Sequence, residues 1–251
     1  MKMTAILSLT VVCCAVVFLA GCPGTDNDKI NNKGDLTSKA TPKTPAKIPD
    51  VPKVPVVAPA QGVVVTLGKA DLVLGEDEYS GPADCTTVAN LTIDDKAITV
   101  TVLVTDDKIY TKGDAAYKSD SVELYFDVRA KKDRGEAIYD DGVFQLIVVP
   151  GMGKDNDLLS WHQGEGGESA YCEVEKVTTK SEATATGYKL VVTLPLEGFK
   201  ANHSIVPGKK FNFNIGVNDC DGNDTRTQLM WSRDSDSWSD ASVFKPVDLS
   251  K

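Results

Sequence analysis

Glu123 and Tyr125 stand two apart in Ser121-Val122-Glu123-Leu124-Tyr125-Phe126-Asp127, a stretch that alternates without a break. Val122, Leu124 and Phe126 point one way; Ser121, Glu123, Tyr125 and Asp127 point the other. Period two over this length reads as a half-buried strand. An outer face with a carboxylate and a phenol, entered just after Tyr117, suits a polar ligand with a flat apolar side, such as a sugar ring. Aromatic rings offer such a ligand rigid apolar area at low entropic cost. Carboxylates and amides hold its hydroxyl rim, and a site built to bond a hydroxyl rejects analogues lacking it. Gln145 and Asn218 are the candidate amides. Trp238, in the polar run Asp234-Ser235-Asp236-Ser237-Trp238-Ser239-Asp240, is a second candidate platform. Trp161, in a glycine-rich segment, is an alternative one, and Trp231, mid-strand, reads as core.

Other chemistries compete for the same residues. Asp219-Cys220-Asp221-Gly222-Asn223-Asp224 has the oxygen density of a calcium loop but not the distal glutamate of an EF-hand. A plain acidic turn and a cation site using Asp219, Asp221, Asn223 and Asp224 both stay open. Two acids flanking a cleft can hydrolyse a glycoside, and Glu123, Asp140, Asp141 and Asp219 are candidates. Acids are abundant, however, and GxSxG, HExxH and phosphate-loop motifs are absent. The chain also has no room for a catalytic barrel of about 250 residues, so no catalysis of its own is expected. A sandwich that binds a protein or haem is a further reading. Haem would draw its axial ligands from His162, His203, Met152 and Met230 once the leader is removed. With 27 basic against 36 acidic residues, net −9, the chain is a poor candidate for nucleic acid or anionic polysaccharide and suits neutral ligands or cations.

The elements that must place these residues are nearly all strands. Ile98 to Val104 alternates with threonines; Val143 to Val149 is a nearly continuous apolar run, as a central strand buried on both faces would be. Tyr171 to Thr178, Gly187 to Leu196, Phe211 to Asn218, Gln228 to Ser232 and Ser242 to Val247 follow. Gly151 to Gly167 reads as a long loop holding Trp161 and His162. No stretch has a convincing helical period. The expectation is an all-β antiparallel sandwich of two sheets, immunoglobulin-like or jelly-roll-like.

Ahead of that domain, residues 1–21 read as a secretory leader with Lys2 and an apolar run from Ala5 to Ala20. It ends Leu19-Ala20-Gly21-Cys22, which resembles the bacterial lipoprotein box and implies lipidation of Cys22, a membrane partner and an envelope location, outer membrane or cell surface. Residues 22–61 read as a linker, with Pro42, Pro45, Pro49, Pro52, Pro55 and Pro59 favouring an extended spacer of about 55 Å. The folded domain is expected over 62–251. Its Cys85, Cys172 and Cys220 allow one disulfide and a spare thiol, with no pairing indicated.

Several of these segments together resemble a known family. Tyr117-Lys118-Ser119-Asp120-Ser121-Val122-Glu123 and the strand on to Asp127 are similar to the family 9 carbohydrate-binding module pattern of Trp, two residues, then Asp-Ser-Val-Glu. Tyr139 to Gln145 resembles its next strand, and Gly187 to Leu196 its Gly-Tyr strand with an apolar-Pro step. Phe213 to Asp219, then Arg226, then Trp231-Ser232, resemble its late Asn-Asp strand, arginine and Trp-Ser; Trp238 and Phe244 match its final Trp and Phe. The resemblance runs from about Ile93 to Val247. It implies a β-sandwich binding the ends of glucan or xylan chains, with Tyr117 and Trp238 as clamping rings and Glu123 as a hydroxyl acceptor. It also implies structural calcium and frequent attachment to a glycanase. Tyr117 replaces the usual tryptophan, and Gln145 stands where better-known members have an arginine. Two rings and a few hydrogen bonds, less the cost of association, imply affinity of about −8 to −4 kcal/mol.

Overall fold

The computed structural model describes residues 62–129, 133–140, 142–163, 172–199, 210–222 and 225–250. The leader, Cys22, the linker, Asp141, His203, Asn223 and Asp224 lie outside the described residues. All of the described residues fall within the unit Val54–Lys251.

The strands in chain order are β1 (Gly62–Leu67), β2 (Leu72–Leu74), β3 (Cys85–Ile93), β4 (Ala97–Asp106), β5 (Ser121–Asp127) and β6 (Val143–Val149). They continue with β7 (Leu158–Gln163), β8 (Thr178–Thr184), β9 (Gly187–Pro195), β10 (Lys210–Gly222), β11 (Thr225–Met230) and β12 (Lys245–Asp248). One sheet runs β1-β3-β4-β9-β8; the other runs β2-β11-β10-β5-β6-β7, with β12 paired to the start of β10. Every strand pairing is antiparallel. The helical turns among the described residues are short 3-10 pieces. The all-β sandwich expected from sequence is therefore the fold.

Alternation explains the core. Ile98, Val100, Val102 and Val104 on β4 and Phe211, Phe213, Ile215 and Val217 on β10 are buried between the sheets with Val122, Leu124 and Phe126. Each such side chain contributes roughly 1.5–3 kcal/mol of burial. The Phe126 ring stacks on Phe144 at 5.0 Å and meets Phe213 at 5.1 Å. Asp94 turns β3 into β4 by accepting from the Lys96 and Ala97 amides at 2.7 and 2.8 Å. Gly187 opens β9 at φ +138°, where a Cβ would sit 2.2 Å from the Val104 carbonyl, so only glycine fits.

Several expectations need correction. β5 is not half-buried: all seven of its residues are buried. At its Tyr125 end the outer face joins a second apolar cluster, in which Tyr125, Val143, Met230, Ala241 and Phe244 pack together. The segment expected as a loop from Gly151 to Gly167 contains the edge strand β7. Val174–Lys176 is a 3-10 turn, so the next strand starts at Thr178 rather than Tyr171. The last strand starts at Lys245, because Ala241–Val243 is another turn. Trp231 is only partly buried, packed against the core with the Lys245 ammonium 4.8 Å from its ring centroid. Cys85, Cys172 and Cys220 are all buried free thiols, so no disulfide forms among them. Burial holds the Cys172 and Cys220 thiols up at about 12, far from reactive thiolate.

Candidate functional site

The outer face of the second sheet carries a polar floor. Antiparallel register sets Asn218 opposite Ser121, Gly216 opposite Glu123 and Asn214 opposite Tyr125. On the other side of β5, Ile147 faces Glu123 and Gln145 faces Tyr125. These pairings converge on Glu123, which is 3% exposed. Its Oε1 accepts from Asn218 Nδ2 at 2.6 Å; its Oε2 accepts from Gln145 Nε2 at 3.1 Å and from the Tyr125 hydroxyl. Gln145 Nε2 also donates to the Tyr125 oxygen at 3.0 Å, and Gln228 Nε2 donates to Asn218 Oδ1 at 3.0 Å. Burial, then the neighbouring Glu123 charge, hold the Tyr125 phenol well above its ordinary range, so it stays a donor. Convergent donors of this kind compensate the cost of burying a carboxylate.

Two exposed rings stand at opposite ends of this floor. Tyr117, 46% exposed, sits in a short turn before β5. Its carbonyl accepts from Arg226 Nη1 at 3.3 Å and lies 3.9 Å from Cys220 Sγ, beyond Asn218 on β10. Trp238, 56% exposed, ends the turn Ser235–Trp238. That turn is tied down at the Asn214 end of β10. Asn214 Nδ2 donates to Ser232 Oγ and Ser237 Oγ, both at 2.9 Å, and the Tyr139 hydroxyl donates to the Ser237 carbonyl. The stretch of β5 between the two anchorages, Ser121 to Tyr125, spans about 14 Å at ~3.4 Å per residue, and Glu123 is its midpoint.

The space above is a cavity of about 440 Å³, within the ~300–1,000 Å³ typical of small-molecule sites. Tyr117, Glu123, Gln145 and Trp238 all line it, so four of the five expected ligand residues meet. Asn218 does not line it: fully buried, it holds Glu123 from behind. Trp161, though 57% exposed, is not among the lining residues either. Leu74, Tyr125, Ile147, His162, Arg226, Gln228, Ser235 and Asp236 complete the wall. Tyr125 was visible in the alternation of β5, and Gln228 follows from its register with Asn218. Leu74 had no local signal, since β2 has three residues; His162 stands out in the sequence only as a candidate haem ligand, since β7 lacks clean alternation.

A second polar region lies beyond the Tyr117 end. Asp106, Asp120 and Asp219, all buried, bring carboxylate oxygens within 4.8 Å of one another; Asp84, Asp107 and Asp221 form a neighbouring group. Asp219 and Asp221 of the acidic turn thus fall in separate groups. Asp120 accepts from the Cys220 amide at 2.7 Å and from the Tyr110 amide, which closes the loop carrying Tyr117. Burial, then the Asp106 charge, push Asp120 up to about 9; burial foremost pushes Asp219 up to about 7 and raises Asp106. Asp106 Oδ2 is buried and faces no donor among the described residues unless Asp120 carries a proton. A proton or a cation between these carboxyls would relieve their mutual repulsion. An all-oxygen donor set of this kind fits a hard cation such as calcium.

Comparisons with known proteins bear on the whole domain. A structure of a family 9 carbohydrate-binding module from Caldicellulosiruptor kristjanssonii, in complex with cellotriose, superposes with a TM-score of 0.53. It is 19% identical over 71% of this chain and 80% of that one. The module from the same organism in complex with glucose gives 0.53 at 20% identity, over 68% and 79%. At such identity the likeness is one of fold. No curated protein sequence matches the chain. The family model described as carbohydrate family 9 binding domain-like matches residues 68–251, most of the chain and every residue that builds the site, and to that family this protein belongs.

Proposed function

We propose that this chain is a non-catalytic carbohydrate-binding module that holds the end of a glucan or xylan chain between Tyr117 and Trp238. The observation that carries this reading is that two exposed rings from separate segments line one pocket whose floor is a buried, hydrogen-bonded carboxylate. A pyranose has two apolar faces and a hydroxyl rim, which suits ring walls and a polar floor. Family relatives captured with cellotriose and glucose support a β-glucan as the first ligand to try. The test is to incubate the full-length protein with insoluble cellulose and xylan and to titrate it with glucose and cellotriose. Retention on a polysaccharide with saturable heat and no release of reducing ends is expected. Absence of retention and heat overturns the reading, and release of reducing ends replaces it with an enzyme.

Two further parts belong to the same reading. A lipid on Cys22 and the proline-rich linker tether the domain to the bacterial envelope, at the outer membrane or cell surface; labelled fatty acid should enter the protein and be lost with Cys22→Ala. Calcium is held by Asp106, Asp120 and Asp219, where it would neutralise the triad and secure the loop bearing Tyr117.

A further inference from the structure

The floor of the pocket has spent most of its donors on itself. The Tyr125 hydroxyl proton goes to Glu123. The amide of Gln145 donates to Glu123 and Tyr125, and that of Asn218 to Ser121 and Glu123. Gln228, with one bond to Asn218 among the described residues, keeps a single amide proton there. What the floor still offers a ligand is mainly acceptors: the side-chain carbonyls of Gln145 and Gln228, and Glu123. That carboxylate takes three bonds of the roughly four it can accept. A sugar hydroxyl donates one bond and accepts up to two. The floor can receive its protons, but something else must donate to its oxygens.

Arg226 lines the same pocket. A guanidinium carries about five N–H donors in a planar fork, and the bond seen among the described residues goes to the Tyr117 carbonyl. Its Cζ lies 5.4 Å from the centroid of the Tyr117 ring, within cation–π range. The fork therefore rides on the ring that would carry the sugar. Trp238 has one N–H and His162 no parallel pair, so neither can match two neighbouring oxygens. Arg226 also borders a small space walled by Glu78, Asp84, Asp219 and Asp221. Those acids, with Glu123 and Asp236 in the pocket, answer the guanidinium charge and disfavour a sugar carboxylate there.

We propose that Arg226 is the principal donor of the pocket, braced on Tyr117 and bonding two adjacent hydroxyl oxygens of a neutral sugar. This deepens the sugar-binding reading and rests on it. The test is calorimetric titration of full-length wild type, Arg226→Gln and Arg226→Lys with glucose, each monodeoxyglucose and glucuronate. Arg226→Gln should bind glucose at least tenfold more weakly, with Arg226→Lys between, since lysine keeps a charge over the ring but loses the fork. At least one deoxy sugar should bind wild type correspondingly weakly, yet bind Arg226→Gln no worse than glucose does. A purely structural arginine would not produce that non-additivity. If the glutamine variant fails to fold by its melting curve, the lysine variant carries the same cycle with smaller losses. Glucose binding unchanged in the variants, or deoxy losses that simply add to the mutational loss, overturns the assignment. Tighter binding of glucuronate than glucose overturns the neutral pair in favour of a carboxylate. No binding of any sugar by wild type overturns the sugar-binding reading itself, and this inference with it.

Discussion

Trp238 and Glu123 make opposite demands on the fold. Trp238 is more than half exposed, so Trp238→Ala should change the melting temperature little, as surface substitutions usually stay within about 0.5 kcal/mol. It removes one wall of the clamp, and titration should show sugar affinity lower by roughly tenfold or more, about 1.4 kcal/mol. Glu123 is buried with three donors aimed at it. Glu123→Gln turns an N–H₂ group toward those donors, which leaves some unpaired at about 1–3 kcal/mol each. Both the denaturant midpoint and sugar affinity should fall. At this scale the alternation of β5 made Glu123 and Tyr125 legible as neighbours on one face. It did not reveal that Asn218 serves Glu123 rather than the ligand, because that depends on which strand pairs with which.

Loops place the rings, and their anchors are testable without touching the ligand. In the loop before β5, a Cβ on Gly113 would lie 2.1 Å from the Lys118 carbonyl. Gly113→Ala must therefore displace the backbone beside Tyr117, and should weaken sugar binding more than it lowers stability. Asn214 is fully buried and also accepts from the Ser232 amide at 2.9 Å, besides its two donated bonds. Asn214→Ala should cost roughly 1–3 kcal/mol in a denaturation curve and loosen the turn bearing Trp238, with reduced affinity although Asn214 does not line the pocket. Strands β4, β5, β9 and β10 were readable because large apolar residues recur at every second place, and β6 because its run is apolar almost throughout. β3 was not, because its inward residues include Cys85, Thr87 and Ala89. β7 was not, because an edge strand in Leu-Leu-Ser-Trp-His-Gln has no clean two-fold pattern.

Across the molecule, the acidic groups link stability to pH and to cations. The ordinary aspartate value is about 3.9, and burial lifts Asp219 to about 7 and Asp120 to about 9 in the folded, metal-free protein. The folded state therefore holds more protons than the unfolded one across this interval. The stability this contributes is complete below about pH 4 and is lost as pH rises through 7 and then 9. In chelator, the melting temperature should fall between pH 5 and pH 9. Calcium can replace the missing protons, so it should raise the melting temperature most at pH 9. A profile flat with pH, and unmoved by calcium, counts against both the buried charges and the cation site.

Composition and period by themselves determined a great deal: an acidic all-β domain, which strands form its middle, and a polar face on β5. These are properties of local pattern, since side-chain alternation depends only on the chain's own geometry. Only the tertiary structure decided that this polar face is a pocket floor covered at its Tyr125 end by an apolar cluster, that Asn218 supports Glu123, and that Arg226 stands over Tyr117. Those contacts join residues about a hundred apart in the chain, such as Tyr117 and Arg226. They depend on strand order and loop anchorage, which no single stretch of sequence contains.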